Sequence, residues 1–194
     1  MVNPLWKIWK ASNSTFLPEG GTPNSSTVPP GRAKSIVRDM SGMAPVARFV
    51  ERRLNTGLGT DGAASNNRLD LFEEMRIAAL LAKATSGRAN SVPAEAALHM
   101  ATLGAARALG LDQDIGSIAP GKLADLCAVN LDATGLSPVY HPLSHLVYAA
   151  GREDVSHVWV AGNLVVDQGH LTGLDSGELR AKARAWQARI VDLS

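Results

Sequence analysis

Cysteine is nearly missing from this sequence, which has one, Cys127, among 194 residues. A disulfide within the chain is therefore excluded, and a reducing compartment such as the cytoplasm is expected. An excess of one charge sign is missing too, because the sequence has 19 basic and 18 acidic side chains. No nucleic-acid partner is therefore expected. No apolar run approaches the roughly 20 residues of a membrane span, and the first ten residues lack the basic-then-apolar layout of a signal peptide.

What remains is an ordinary globular composition, with 45% hydrophobic and 19% charged residues, which is enough to form a core. Residues 11–35 differ, because they are dense in Ser, Thr, Asn, Pro and Gly and show no apolar period. We therefore expect residues 1–35 to be a disordered lead-in. Trp6, Ile8 and Trp9 either dock on the folded body or belong to a frayed terminus.

Order is expected to begin near Pro45. The segment PVARFVERRL has helical spacing, and NTGLGTD predicts a short buried strand. A long helix is predicted within NNRLDLFEEMRIAALLAKA, with Asn66 or Asn67 as its cap. Its apolar face contains Leu69, Phe72, Met75, Ala79 and Ala82.

A further helix is predicted from Pro93 to Leu109, ended by Gly110. Small residues along it, including Ala101 and Ala105, favour close packing on a neighbour. From Asp112 the apolar period changes, and DIGSIAPGKLADLCAVNLD predicts two short strands about the turn APGK.

The last part of the chain predicts a hairpin and a helix. Val155–Val160 and Leu164–Val166 are rich in β-formers and are separated by Ala161, Gly162 and Asn163, which favour a hairpin turn. Residues 174–194 predict an amphipathic helix with Leu179, Ala183, Trp186 and Ile190 on one side.

The stretch GLGTDGAASNN, residues 57–67, is the main candidate site. A short apolar run, turn formers and then a helical pattern place Asp61 at the carboxyl end of a strand, where α/β folds keep their chemistry. The residues alone leave a second interpretation open, because an Asp in such a turn is often a cap or turn former.

The other polar candidates are histidines and the single cysteine. His141 and His145 have i, i+4 spacing, which on a helix makes a metal site conceivable. Pro142 disfavours a helical conformation at His141, so the alternative is that His145 anchors a loop by hydrogen bonds. Three further histidines, His99, His157 and His170, are expected at the surface or in packing roles. Cys127 lies in an apolar strand and is expected in the core rather than as a reactive thiol.

Four stretches, taken in order, resemble the carboxyl-terminal part of metal-dependent amidohydrolases. More narrowly they resemble the branch that contains S-adenosylhomocysteine and methylthioadenosine deaminases and triazine hydrolases. The resemblance covers about residues 40–194, and TDGAASNN followed by DLFEEMR is its most selective part. The stretches are GLGTDGAASNNRLDLFEEMRIAALLAKA, PAEAALHMATLGAARALGL, IGSIAPGKLADLCAVNLD and SPVYHPLSHLVYAA.

This resemblance implies an α/β fold, namely a (β/α)₈ barrel with one divalent metal, zinc, and a small β-sandwich. A complete barrel takes about 250 residues, so this chain is expected to hold a carboxyl-terminal fragment. Residues 36–110 would be the last strand and helices of the barrel, 111–173 a portion of the sandwich with an inserted loop and helix, and 174–194 the final helix.

The resemblance also implies a role for Asp61, which would end the last barrel strand, bind the metal, contact substrate and move protons. Gly62, Ala63 and Ala64 would leave room for substrate. Family members hold the metal with two histidines one residue apart and a further histidine in mid-barrel. None of the five histidines of this sequence has that one-residue separation.

Two hypotheses follow. In the first, the chain belongs to a deaminase that hydrolyses amino-purines such as S-adenosylhomocysteine, a complementing polypeptide supplies the missing ligands, and the protein self-associates. In the second, the chain is a non-catalytic remnant or interaction fragment, because an exposed barrel edge presents unpaired backbone groups and an apolar face.

Overall fold

The structure is a computed structural model that describes residues 34–36 and 44–191. The interpretation of Trp6, Ile8 and Trp9 lies outside these residues. The described chain contains a helical layer beside a two-stranded parallel sheet, followed by a four-stranded antiparallel sheet and a last helix.

The parallel sheet is built from a strand, a helix and a strand. β1 (Lys34–Ile36) pairs with β2 (Thr56–Leu58), and α1 (Val46–Glu51) lies between them in sequence. The short strand predicted within NTGLGTD is therefore confirmed as β2. The predicted lead-in of residues 1–35 is wrong at its end, because Lys34 and Ser35 belong to β1. The backbone partners that β2 supplies decide this, and local composition does not reveal them.

Four helices enclose the main core. They are α1, α2 (Leu71–Ser86), α3 (Ala94–Ala101) and α5 (Pro142–Tyr148), whereas α4 (Leu103–Ala108) contributes no residue to this core. Ala79, Ala97 and Val147 are fully buried at 0% exposure, so small side chains let these helices approach closely. The predicted face of α2 is confirmed for Met75, Ala79 and Ala82, which are buried, and for Phe72, which packs against the core.

The predicted start of α2 is wrong. Asp70, rather than Asn66 or Asn67, is the N-cap, and its Oδ1 accepts hydrogen bonds from Phe72 N at 3.0 Å and Glu73 N at 3.4 Å. Leu69 therefore precedes the helix, with a φ of 50°, and is 51% exposed. It cannot share the packed face because the helical period begins after it.

The predicted single helix from Pro93 to Leu109 is interrupted at Thr102, whose φ is −125° and ψ −102°. The interruption separates α3 from α4, and α4 packs against β2. Gly104 allows the approach, since a Cβ there would lie 2.8 Å from Thr56 O. Gly110, with a φ of 70°, follows the end of α4 as predicted.

The close packing of α4 on β2 gives a stability prediction. A Cβ on Gly57 would lie 2.9 Å from the Ala105 Cα, so Gly57→Ala should lower the free energy of unfolding by about 1–3 kcal/mol through overpacking. Gly59→Ala is the matched control, because its Cβ would have no heavy atom within 4 Å. Denaturant unfolding measures both variants, and equal midpoints would contradict the packing described.

The antiparallel sheet has the order β3 (Leu126–Val129), β4 (Val155–Val160), β5 (Asn163–Asp167) and β6 (His170–Leu171). The predicted hairpin is confirmed, except that Asn163, which was predicted in the turn, is the first residue of β5 and pairs with Val160. Ala161 and Gly162 form its two-residue turn with φ values of 49° and 80°, as hairpins with right-handed twist require.

The first of the two strands predicted about APGK is wrong. Among the described residues, 111–118 form turns instead of a strand. Lys122 Nζ donates hydrogen bonds to the Asp112 carbonyl and, at 3.2 Å, to the Ile115 carbonyl. These hydrogen bonds from the long Lys122 side chain hold the turns together, and no local periodicity in the sequence indicates them.

Cys127 is exposed, so its prediction as a core residue is wrong. β3 is one of the two outer strands of its sheet, and Cys127 is the exposed residue of that strand. The partial burial that remains raises the pKa of the Cys127 thiol by desolvation.

The raised pKa of Cys127 predicts slow alkylation. Because the thiolate is the reactive form, iodoacetamide should modify native Cys127 more slowly at pH 8 than it modifies the unfolded chain. The native rate should continue to rise at higher pH, since the folded thiol ionises above the ordinary range. A native rate at pH 8 equal to the unfolded rate would contradict the shift.

The last helix, α6 (Ser176–Val191), confirms the helix predicted there. Its apolar side chains are exposed in the described structure, with Leu179 at 42% and Trp186 at 58%. No helix among residues 44–191 combines the length and apolar character that crossing a membrane requires.

Candidate functional site

Asp61 lies in the loop that leaves the carboxyl end of β2 and leads to α2. Its Oδ1 accepts a hydrogen bond from Gly62 N at 2.7 Å, and its Oδ2 accepts one from Ser65 Oγ at 2.8 Å. Asp61 has a φ of 58°, a conformation that an Asp tolerates better than most residues. The carboxylate therefore shapes its own turn at the position where α/β folds place chemistry.

The loop is tied to α2 through Asn66. Asn66 Nδ2 donates to Glu74 Oε1 at 2.8 Å, and Asn66 Oδ1 accepts from Arg68 N and Leu69 N, each at 3.0 Å. Glu74 is buried, with 8% exposure. A buried carboxylate needs hydrogen-bond donors, and the Asn66 amide supplies one.

A distant segment supports the same loop. Arg152 Nη1 donates to the Arg68 carbonyl at 2.6 Å, and Arg76 Nη2 donates to the Ala150 carbonyl at 2.6 Å. The Arg68 guanidinium also lies 3.5 Å from Asp70 and 3.8 Å from Glu153. These contacts join the loop and α2 to the segment that precedes β4.

The pair His141 and His145 adopts the anchoring arrangement rather than a metal site. His141 is the N-cap of α5, and its Nδ1 accepts from Ser144 N at 3.2 Å. His145 Nδ1 lies 3.3 Å from the His141 carbonyl oxygen. Pro142 begins the helix, so His141 stays extended, as the proline predicts.

The remaining histidines have surface or packing positions. His157 Nε2 lies 3.2 Å from Asp167 Oδ1, and its ring stacks on Trp159 with 5.7 Å between centroids. His99 and His170 are exposed. All five histidines of the sequence are thus accounted for among the described residues.

The described residues do not by themselves fit a catalytic metal. Within 34–36 and 44–191, no three His, Cys, Asp or Glu side chains come together in a way that would hold a metal ion. Catalytic zinc sites take three protein ligands. Asp61 is a single candidate ligand, and both of its oxygens already accept hydrogen bonds within the loop.

Comparison with known families decides the ancestry of this loop. The pattern of the amidohydrolase family matches residues 21–165. The chain belongs to the amidohydrolase family. The match begins at residue 21, ahead of β1, whereas the resemblance seen in the motifs begins at about residue 40.

Relatives of the chain belong by name to the deaminase branch that the sequence motifs indicate. The chain is 42% identical over 157 residues to a 5-methylthioadenosine/S-adenosylhomocysteine deaminase of Teredinibacter turnerae, covering 81% of this chain and 36% of the relative. It is 45% identical over 150 residues to a 5'-deoxyadenosine deaminase of Methanothermobacter thermautotrophicus, covering 77% and 35%. The chain thus spans about a third of the length of these relatives.

Solved structures give the same placement. A zinc-bound adenosine deaminase from Xanthomonas campestris superimposes with a TM-score of 0.76 and 47% identity, over 78% of this chain and 35% of that one. A zinc complex of atrazine chlorohydrolase from Arthrobacter aurescens superimposes with a TM-score of 0.68 and 30% identity, over 74% and 32%. The deaminase and triazine hydrolase branch is therefore confirmed for this amidohydrolase.

Sequence reasoning singled out Asp61 but missed the residues that hold its loop. Glu74 follows Asn66 by 8 positions, and Arg152 is 84 positions from Arg68. The one available signal was Glu74, the third acidic residue of the DLFEEMR stretch, which falls on the buried face of α2.

Proposed function

We propose that this chain carries the Asp61 part of the active site of a hydrolytic deaminase for adenosine-type nucleosides such as S-adenosylhomocysteine. The observation that carries the proposal is the position of the Asp61 carboxylate, in the loop between the parallel strand β2 and helix α2. The names of the relatives supply the substrate class, because they include a deaminase of methylthioadenosine and S-adenosylhomocysteine and one of 5'-deoxyadenosine.

The proposal also assigns the strands and helices of this chain to the parts of a larger fold. β1 and β2 would be neighbouring strands of a (β/α)₈ barrel, with residues 36–110 as its last strand and helices. β3 to β6, within residues 111–173, would be a share of a small β-sandwich. Residues 174–194 would be the carboxyl-terminal helix. The parallel pairing of β1 with β2 and the antiparallel order of the second sheet support this division.

The chemistry proposed for Asp61 is proton transfer. Hydrolytic deamination replaces the ring amine with an oxygen from water and releases ammonia, so a proton must leave the water and reach the amine. A carboxylate within hydrogen-bond distance of both groups can accept that proton and donate it, which contributes about 10²–10⁴-fold to such reactions. Ser65 and Gly62 would orient the carboxylate for this transfer.

The proposal also covers the metal, since the two solved relatives named above contain zinc. Asp61 would be one ligand. The other ligands would come from polypeptide outside these 194 residues, because the sequence has no histidines one residue apart and the described residues form no three-ligand cluster.

Complementation tests the proposed function. The full chain is fused to the part of the Teredinibacter turnerae deaminase that it does not match, and ammonia release from S-adenosylhomocysteine is measured with zinc. Release is expected from the fusion and not from either part alone. Release from the isolated chain would overturn the division of ligands, and a folded but inactive fusion would overturn the deaminase assignment.

A further inference from the structure

A buried carboxylate on α2 is bonded to the loop that carries Asp61, although the proposed proton transfer does not use it. Glu74 has 8% exposure, and its Oε1 accepts a hydrogen bond from Asn66 Nδ2 at 2.8 Å. Burying a carboxylate is costly unless donors satisfy it. Glu74 therefore favours the loop conformation that brings the Asn66 amide to it.

Asn66 is held at three of its polar groups. Besides the bond to Glu74, its Oδ1 accepts from Arg68 N and Leu69 N, each at 3.0 Å. Its backbone N donates to the Gly62 carbonyl at 2.9 Å. The partners also fix the amide orientation, because a carboxylate takes the NH₂ group and two backbone amides take the oxygen.

The same bonds continue to Asp61. Gly62 O accepts from Asn66 N at 2.9 Å and from Ser65 N at 3.0 Å, which closes the turn. Gly62 N and Ser65 Oγ then donate to the two carboxylate oxygens of Asp61. Both of these donors belong to the turn that Asn66 closes.

We infer that Asn66 and Glu74 are a positioning pair that sets the direction of the Asp61 carboxylate. The inference rests on the proposed function of Asp61. Glu74 holds Asn66, Asn66 closes the turn at Gly62, and the turn aims the two carboxylate oxygens. A group that moves a proton must lie within hydrogen-bond distance of it, so loosening the turn reduces turnover more than substrate binding.

The first experiment uses the isolated full chain and amide hydrogen exchange. Asn66→Asp keeps an acceptor for the two backbone amides but places a carboxylate against Glu74, where like charges repel unless a proton is shared. Exchange at the Gly62 and Ser65 amides should rise about 10-fold at pH 8 relative to the parent, after correction for intrinsic rates, which corresponds to about 1.4 kcal/mol. The difference in exchange rate between Asn66→Asp and the parent should be smaller at pH 5, where the two carboxylates can share a proton.

Asn67→Asp is the matched control. It makes the same charge change at the adjacent, exposed position. Exchange at Gly62 and Ser65 should match the parent at both pH values in this variant. Equal exchange in Asn66→Asp and Asn67→Asp would overturn the inference.

The second experiment uses the fusion with the complementary part of the deaminase. Asn66→Ala, which adds no charge, should lower kcat about 10-fold or more and leave KM within about twofold, because misplacement of a reacting group acts on turnover. Glu74→Gln keeps an acceptor oxygen for Asn66 and should retain more kcat than Glu74→Leu. Unchanged kcat in Asn66→Ala, or equal kcat in the two Glu74 variants, would overturn the positioning role.

The two experiments separate this inference from the proposed function. An inactive parent fusion counts against the deaminase proposal, whereas exchange in the isolated chain still decides whether Asn66 and Glu74 hold the turn at Asp61. If Asn66→Asp unfolds the chain, Asn66→Ala takes its place in the exchange measurement, with the same increase expected at Gly62.

Discussion

Replacing Asp61 with Asn is expected to lower kcat for ammonia release from S-adenosylhomocysteine at least about 100-fold in the fused deaminase. The amide keeps the size of the side chain and one acceptor oxygen for Gly62 N or Ser65 Oγ. It cannot take up and donate a proton at neutral pH and is expected to weaken the proposed zinc site, so the loss reports both proposed roles of the carboxylate rather than the size of the side chain. Steady-state kinetics with direct ammonia detection measures it.

Asp132→Asn is the control for Asp61→Asn. Asp132 is exposed, and the same change of charge there should leave kcat within about twofold, as for surface substitutions away from a site. Thermal unfolding should show both variants folded. If Asp61→Asn retained kcat within about twofold of the parent, Asp61 would be a turn former, which is the alternative that the residues alone leave open.

Replacing Lys83 with Met should have the largest effect on stability. Lys83 Nζ donates to the carbonyls of Ser91 at 3.0 Å and Val92 at 2.9 Å, and to Tyr148 Oη at 2.8 Å. It also lies 5.3 Å from the centroid of the Tyr148 ring. One ammonium therefore joins α2 to the segment before α3 and to α5.

Met keeps the length and apolar stem of Lys83 but removes every donor. Each part-buried acceptor that loses its donor lowers the free energy of unfolding by about 1–3 kcal/mol. The loss is smaller for an acceptor that regains a hydrogen bond from water. We expect the free energy of unfolding to fall by about 2–4 kcal/mol at pH 7 in denaturant titration. Lys182→Met is the control, because Lys182 is exposed and pairs with Glu178 one helical turn away, which contributes about 0.3–0.5 kcal/mol. Equal losses in the two variants would contradict the role of Lys83.

The elements with strong local signals were predictable. The apolar period of α2 and the Ala161–Gly162 turn each satisfy a local rule, and the structure confirms both. The start of α2 was not predictable in the same way, because Asp70 competes with Asn66 for the capping position. Asn66 Oδ1 instead accepts from Arg68 N and Leu69 N in the loop, and its Nδ2 donates to the buried Glu74, contacts that only the folded chain contains.

Other differences also come from tertiary packing. The interruption at Thr102 accompanies the close approach of Gly104 to Thr56, which the helical pattern cannot reveal. Cys127 has apolar neighbours in sequence, but successive side chains of β3 point to opposite faces of the sheet, and Cys127 is exposed whereas Leu126 and Ala128 on either side of it are partly buried. Apolar character predicts a strand without indicating which face is covered.

The candidate site was predictable for one residue. Glycines, turn formers and a following helix place Asp61 after a strand, and the resemblance to amidohydrolases supplies its proposed role. Its supporting contacts come from residues far along the chain, such as Arg152, whose side chain reaches the Arg68 carbonyl. Their hydrogen bonds depend on the fold, so no motif marks them.

We propose that Asp61 becomes a metal ligand only when polypeptide outside this chain supplies imidazoles. Zinc content after exhaustive dialysis tests it most directly, measured on the isolated chain, the fusion and Asp61→Asn in each. The account predicts stoichiometric zinc in the fusion, a loss of that zinc in its Asp61→Asn variant, and no retained zinc in the isolated chain. An isolated chain that keeps one equivalent of zinc and loses it on Asp61→Asn would contradict the account.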